Sequence, residues 1–243
     1  MPGKSNRRLI FSSILVLIVI PLTIVFGITV LHDRKYYFIS ALILIYMMLP
    51  FSMVFGGRKP KAREIVLICS LAAIAVIGRC AFCMLPEFKP VAAIVIISAV
   101  CLGPESGFLV GALAGFVSNF FFGQGPWTPW QMFSFGIVGF LAGLLYEKKI
   151  LKPGKAAICI YGGLSVFLIY GGLMNFYSVI TMSSVINKKI LIATYLSGIP
   201  FDLIHAGSTV LFLFFIEKPM AEKITRIKVK YGLIDENELL KTS

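Results

Sequence analysis

From residue 9 onward, apolar residues run in long blocks separated by short knots of Lys, Arg, Pro and Gly. The blocks do not alternate with period two, which argues against half-buried strands, and most lack the broad polar face of a soluble surface helix. About twenty apolar residues wound as a helix cross a hydrocarbon layer of roughly 30 Å. The pattern predicts spans over Leu9–Leu31, Tyr36–Phe55, Glu64–Leu85, Val91–Leu102, Ser106–Phe122, Gln131–Tyr146, Ala156–Ile180 and Leu196–Ile216. The fourth is short for a full crossing and sits between the Lys89-Pro90 and Gly103-Pro104 turns. The first run is long for a signal peptide's apolar core and is followed by no small-residue cleavage site, so it reads as a retained anchor. The predicted class is an all-α polytopic membrane protein.

Composition agrees with the pattern. Of 243 residues, 58% are hydrophobic and 14% charged, and the mean hydropathy is +0.91. A soluble domain carries about one quarter charged residues. The 23 Lys and Arg against 11 Asp and Glu give a net charge of +12. With both termini cytoplasmic, most of the cations fall in inner segments: Lys4, Arg7 and Arg8; Arg58, Lys59, Lys61 and Arg63; Lys148, Lys149, Lys152 and Lys155; and the tail from Lys218 to Lys241. That distribution satisfies the positive-inside rule. The net charge is then an inner-surface bias attracted to anionic lipid heads. No basic stripe interleaved with aromatics marks a nucleic-acid surface.

One stretch breaks the apolar monotony. "FFGQGPWTPWQMFSFG", residues 121–136, holds both tryptophans of the chain. Its Gly and Pro residues predict an irregular loop between two spans, on the outer side in this topology, beside the Pro86–Pro90 turn and the Thr181–Tyr195 connection. Trp127 and Trp130 are either interfacial belt residues or apolar walls of a small-molecule site. The neighbouring Gln124, Thr128 and Gln131 supply the few placed polar groups that such a site needs.

The run "LPEFKPVAAIVIISAVCLGPESGFLVGALAGFVSNFFFGQGPWTPWQMFSFGIVGFLAGLL", with the later "GIPFDLIHAGST", resembles the substrate-binding S component of energy-coupling factor (ECF) vitamin transporters. The resemblance covers about Ile65–Ile216. It implies a six-helix membrane core that captures a vitamin from outside with high affinity. A transmembrane coupling subunit and two cytoplasmic ATPases are the implied partners, in the cell membrane. The six-helix domain is then 64–217, preceded by a two-helix extension (1–63) and followed by a charged cytoplasmic tail (218–243). The Trp/Gln segment resembles members associated with corrinoid uptake, so cobalamin or a precursor is favoured, with folate, pantothenate or a queuosine precursor as alternatives. No resident cofactor is implied, because the vitamin is cargo. The family's alanine-rich contact with the coupling subunit maps onto Ala72, Ala73 and Ala75 in "CSLAAIAVIG". Small residues at helical spacing equally serve packing inside one bundle, the reading favoured for "GALAG" and "GFLAG".

Ionisable and amide groups inside the spans are expensive, and so are functional candidates. Arg79 either snorkels outward or binds an anionic or carbonyl group of the cargo. Asn119, one turn before the Trp segment, and Asn175, near the outer end of the seventh span, complete the candidate binding set. Asp202 and His205, three apart on one helix face, read as a mutually satisfied buried pair or as a carboxylate-oriented general base. The second reading would make the protein an intramembrane enzyme. No G-x-S-x-G, H-E-x-x-H or P-loop sequence supports catalysis or ATP binding in this chain, and no catalytic residue is assigned. The five cysteines fall in apolar stretches. Cys80-x-x-Cys83 has metal-ligand spacing but no nearby histidine, so the cysteines read as small hydrophobes and no metal site is expected.

Overall fold

The structure is a computed structural model that describes residues 2–31, 35–53, 62–182 and 187–232. Ten α-helices follow in chain order: α1 (Pro2–Ile14), α2 (Ile20–Thr29), α3 (Tyr36–Met53), α4 (Ala62–Ala81), α5 (Val91–Leu102), α6 (Pro104–Phe122), α7 (Trp127–Glu147), α8 (Lys155–Ser165), α9 (Gly172–Met182) and α10 (Lys188–Lys230). A π-helical turn, Leu15–Val19, fuses α1 to α2, and another, Val166–Gly171, fuses α8 to α9. No strand occurs among the described residues.

Six helical stretches have the length and apolarity to cross a membrane: Arg7–Thr29, Ala62–Ala81, Pro104–Phe122, Trp127–Glu147, Lys155–Thr181 and Lys188–Lys230. The other two expected spans appear as shorter apolar helices, Tyr36–Leu49 and Val91–Leu102. The expected inner cations Arg58, Lys59 and Lys61 and the tail beyond residue 232, with Lys241, lie outside the described residues.

The shortness of α5 has a packing reason. Every residue from Val91 to Ala99 is buried, so this helix is wrapped by protein on all sides. A helix that is hydrophobic all round belongs in the centre of a bundle. Against it lies the α6–α7 pair, the most extensive helix–helix contact among the described residues. A Cβ on Gly111 would stand 2.6 Å from the Phe135 carbonyl, and one on Gly139 would stand 2.6 Å from the Gly107 oxygen. In lipid, where apolar tails compete equally for apolar side chains, such close backbone approach is what holds helices together. The two G-x-x-x-G stretches therefore pack inside the bundle, as their spacing anticipates.

Two boundaries differ from expectation. The last helix starts at Lys188, not Leu196, and runs past Ile216 to Lys230 without a break at Pro219. At 43 residues and 1.5 Å each it is roughly 65 Å long, about twice the hydrocarbon layer. A proline removes one backbone hydrogen bond. Here Ile224 is buried in the main core, and Ile216, Met220 and Ile227 pack against that core, which holds the overhang. The second difference is at the Trp segment. Helix α7 begins at Trp127 rather than Gln131, leaving only Gly123–Pro126 irregular. Proline is tolerated in the first helical turn because its missing N–H has no intrahelical partner there, so Pro129 does not delay the helix. The tight connection needs Gly123, whose φ of +99° lies where side-chain-bearing residues are strained.

Candidate functional site

The α6–α7 connection marks what is called here the Trp end of the bundle. Four elements converge there: the end of α4 with the following turn to Pro90, the α6–α7 connection, the second π-helical turn with α9, and the middle of α10. Arg79, 8% exposed, reaches across from α4. Its guanidinium donates to Ser118 Oγ and to Asn119 Oδ1 (2.9 Å) and lies over the Phe122 ring at 4.8 Å. Asn119 in turn donates to Thr128 Oγ1 at 3.0 Å, and Thr128 donates to Gln124 Oε1 at 2.9 Å. The Gln124 amide nitrogen donates to the Phe116 carbonyl at 2.9 Å. Four of the sequence-predicted site residues, Arg79, Asn119, Gln124 and Thr128, thus form one hydrogen-bonded chain that fastens α4, α6 and the start of α7 together. Arg79 does not snorkel. Its charge is satisfied inside the bundle, as a buried cation requires.

The two tryptophans part company. Trp130 is 6% exposed and packs against Phe176 and Tyr177 of α9, with centroids 6.1 and 5.8 Å away. Trp127 is 37% exposed, donates to the Gly123 carbonyl at 3.3 Å, and lies over Gly125. They do not form one stacking platform. Trp127 has the half-wet placement typical of an interfacial ring.

Asp202 and His205 do not pair, contrary to the buried-pair expectation. Asn175 donates to Asp202 Oδ2 at 2.7 Å. His205 Nδ1 instead lies 3.7 Å from Glu87 Oε2, on the turn after α4. Three residues apart on a helix is a shared face, but each side chain is drawn to a different neighbour. The cause is the π-helical turn. It brings the Gly171 backbone so close that a Cβ there would stand 2.6 Å from the Asp202 carboxylate, and it sets Tyr170 edge-on to His205 at 4.7 Å. Single π-turns inside α-helices are frequent at functional sites.

Some buried polar atoms of α7 and α10 have no partner. His205 Nε2, Gln131 Oε1 and Ser134 Oγ are buried without a hydrogen-bond partner. Gln131, Ser134 and Phe135 share one face of α7 by their i, i+3, i+4 spacing. Phe135 lies 4.5 Å from Tyr170 and 6.1 Å from His205, centroid to centroid. Buried polar groups are almost always paired, and each exception calls for an explanation. Glu87 closes the group from above. It adopts φ +54°, a costly value for a residue with a side chain, while its carboxylate lies 3.5 Å from Lys89 Nζ. Ser208 of α10 holds the same turn through contacts of 3.4 Å to Glu87 O and Lys89 O.

Sequence reasoning found Gln131, Asn175, Asp202 and His205 but missed Glu87, Ser134 and Tyr170. Ser134 had a signal, since it repeats the face of Gln131 one turn on. Glu87 and Tyr170 had none, because a turn glutamate and a π-turn tyrosine are placed by tertiary contacts alone. No group of three or more metal-ligating side chains occurs among the described residues, Cys80 and Cys83 included. The described cysteines are free thiols.

Comparison with known proteins places this geometry. The family model described as "ECF-type riboflavin transporter, S component" matches residues 59–221, more than half of the chain. The chain belongs to this family. It is also similar to a UPF0397 protein of Vibrio atlanticus, 28% identical over 173 residues that cover 67% of this chain and 93% of that protein. UPF0397 proteins of Aliivibrio fischeri and Aliivibrio salmonicida are 38% identical over 101 residues, covering 39% of this chain and 55% of each relative. No solved structure matches the chain.

As an S component, the protein is a transporter subunit rather than an enzyme: the substrate-binding part of an ECF importer and a multi-pass membrane protein. Asp202 and His205 are accordingly read as binding or structural groups. Members of the family work with a coupling subunit and ATPases. Of the alanines expected to face that partner, Ala72 and Ala75 are buried at 5% and 0% exposure and pack within the bundle. Ala73 is exposed on the opposite face of α4, beside exposed Cys69 and Ser70.

Proposed function

We propose that this S component captures a vitamin at the Trp end, which faces the outside, and grips it by the edge of a planar heteroaromatic ring. The observation that carries the reading is the trio of buried, unpartnered atoms, His205 Nε2, Gln131 Oε1 and Ser134 Oγ. A ring whose edge alternates donors and acceptors would satisfy them, and Phe135, Tyr170 and Trp130 supply apolar faces for it. A few polar groups in an aromatic setting are the ordinary make-up of a small-molecule site. Glu87 and Lys89, held down by Ser208, form the cover.

The substrate-specific part of the sequence reading changes here. A corrinoid was favoured because the Trp/Gln segment resembles members associated with corrinoid uptake, whose broad ring would suit stacking on two tryptophans. Trp127 now lies at the surface, and the family is named for a flavin. Riboflavin is therefore the first ligand to test, and cobalamin or a precursor with its benzimidazole ring is the second.

Mass spectrometry of ligand carried through purification, followed by calorimetry with riboflavin and with cyanocobalamin, tests the proposal. Binding of a ring-bearing vitamin that is lost in His205→Ala and Gln131→Ala is the expected result. Binding unaffected by both substitutions would remove this site from consideration. The partner side of the reading assigns docking to the Ala73 face of α4. Ala73→Trp should abolish cellular uptake and leave calorimetric binding intact. Parallel loss of both would return α4 to internal packing.

A further inference from the structure

A second polar constellation lies at the opposite end of the α6–α7 pair, and there two residues outside the family match, which begins at residue 59, meet two inside it. Arg8 of α1 meets both ends of the pair at once. Its Nε lies 3.1 Å from Glu105 Oε1, in the first turn of α6, and its Nη2 donates to both carboxylate oxygens of Glu147, the last residue of α7, at 2.9 Å each. Ser12, one turn further along, donates to the same Glu105 oxygen at 2.7 Å. The Glu105 side chain is 1% exposed and the Arg8 side chain 16%. A carboxylate buried that deeply requires a cation and a donor, and the N-terminal helix supplies both.

The same N-terminal segment touches the pair at its other end. Gly27 lets α2 approach α3 closely, since a Cβ there would stand 3.0 Å from Ile39 Cγ1. Gly27, Tyr36 and Ile39 border a narrow cleft whose far wall is Pro126, Pro129 and Trp130. Between these two points of contact the α6–α7 pair has no slack, because its glycines bring the two backbones together at Gly111 and Gly139. Densely packed interiors transmit strain instead of absorbing it.

We propose that the N-terminal helices clamp the α6–α7 pair at both ends, with Arg8 as a positioning residue that holds the Trp end in its binding arrangement. The functional consequence rests on the capture site proposed above; the mechanical claim does not. Arg8 touches no cargo. It acts through Glu105 and Glu147, about 30 Å from Trp127 at 1.5 Å per residue. The extension is then part of the capture unit and not an added anchor.

The test uses the full-length protein in detergent, in a Trp127→Phe background so that Trp130 reports on the far end without any ligand. Arg8→Glu and Glu147→Arg should each raise acrylamide quenching of Trp130 about twofold or more, with far-UV circular dichroism unchanged. The double variant Arg8→Glu/Glu147→Arg restores the ion pair in reverse and should return quenching to the parent level. Arg8→Gln, which keeps hydrogen bonding but not charge, should fall between. Parent-level quenching in the single variants overturns the clamp, as does failure of the double variant to restore it. Should Arg8→Glu not fold, Arg8→Gln decides, and parent-level quenching in it is equally fatal. Because no ligand is added, failure of the capture site and failure of the clamp give separate signatures.

Discussion

The two ends of the α6–α7 pair treat buried polar groups in opposite ways. At the Arg8 end, a buried carboxylate, a second carboxylate, a guanidinium and a hydroxyl meet in one ion-paired cluster, in which Arg8 Nε lies 3.1 Å from Glu105 but makes no hydrogen bond. At the Trp end, a hydrogen-bonded chain from Arg79 to Gln124 stands beside three buried atoms with no partner and no opposite charge against them but the Glu87 carboxylate near His205. Both arrangements cost desolvation, and the first recovers more of it within the folded chain. A satisfied network fixes geometry. An unsatisfied one raises the free energy of the empty state and leaves that free energy to be recovered when a ligand arrives. Stability and affinity should therefore respond to substitutions at different ends.

The largest separation is expected at Arg8. Arg8→Met leaves Glu105 buried beside an apolar chain, and losing one partner of a buried pair costs about 3 kcal/mol or more. Thermal unfolding in detergent should show that loss. An unchanged midpoint would mean that the Arg8 network contributes nothing to stability and that the contrast between the ends is false.

At the Trp end, His205→Ala should weaken vitamin binding by on the order of 2 kcal/mol, roughly thirtyfold in Kd, while the empty protein loses less thermal stability than Arg8→Met does. Removing the unpartnered Nε2 spares its desolvation cost, which offsets part of the ring packing lost against Tyr170 and Phe135. If His205→Ala instead destabilises the empty protein as Arg8→Met does, His205 is a structural residue and the site shrinks to Gln131 and Ser134.

The two tryptophans sharpen the same contrast within one turn of helix. Trp130→Ala removes a buried ring that contacts Phe176 and Tyr177 and should cost about 2 kcal/mol in affinity. Trp127→Ala should stay within about threefold of the parent, because that ring is largely at the surface. Equal losses in calorimetry would restore the broad stacking platform and with it the case for a corrin ring.

Many residues of the proposed site were singled out by residue type. An arginine, two asparagines, two glutamines and a histidine inside apolar runs had to be functional or paired, because lipid offers no third option. What could not be read was which of the two each would be. Asn119 and Gln124 became scaffold and Gln131 kept its side-chain carbonyl oxygen without a close partner, although all three carry the same amide chemistry. Asp202 and His205 looked like partners at a spacing of three, and the π-helical turn beside them gave each a different neighbour. The continuous α10 was equally hidden, since Pro219 reads as a stop until Ile224 beyond it is seen buried in the core.

Length and periodicity of the apolar blocks, with the placement of Lys and Arg, were enough by themselves to determine a helical membrane protein and the number of its apolar segments. The reason is that a bilayer imposes one length scale and permits no unsatisfied backbone. The quoted motifs were enough to mark the transporter family. Side-chain partnership was decided by tertiary structure alone. Whether a buried amide, carboxylate or imidazole is spent on the fold or kept for cargo depends on which helix faces it across the bundle, and that neighbour lies tens of residues away in sequence: 93 for Ser12 and Glu105, and 27 for Asn175 and Asp202.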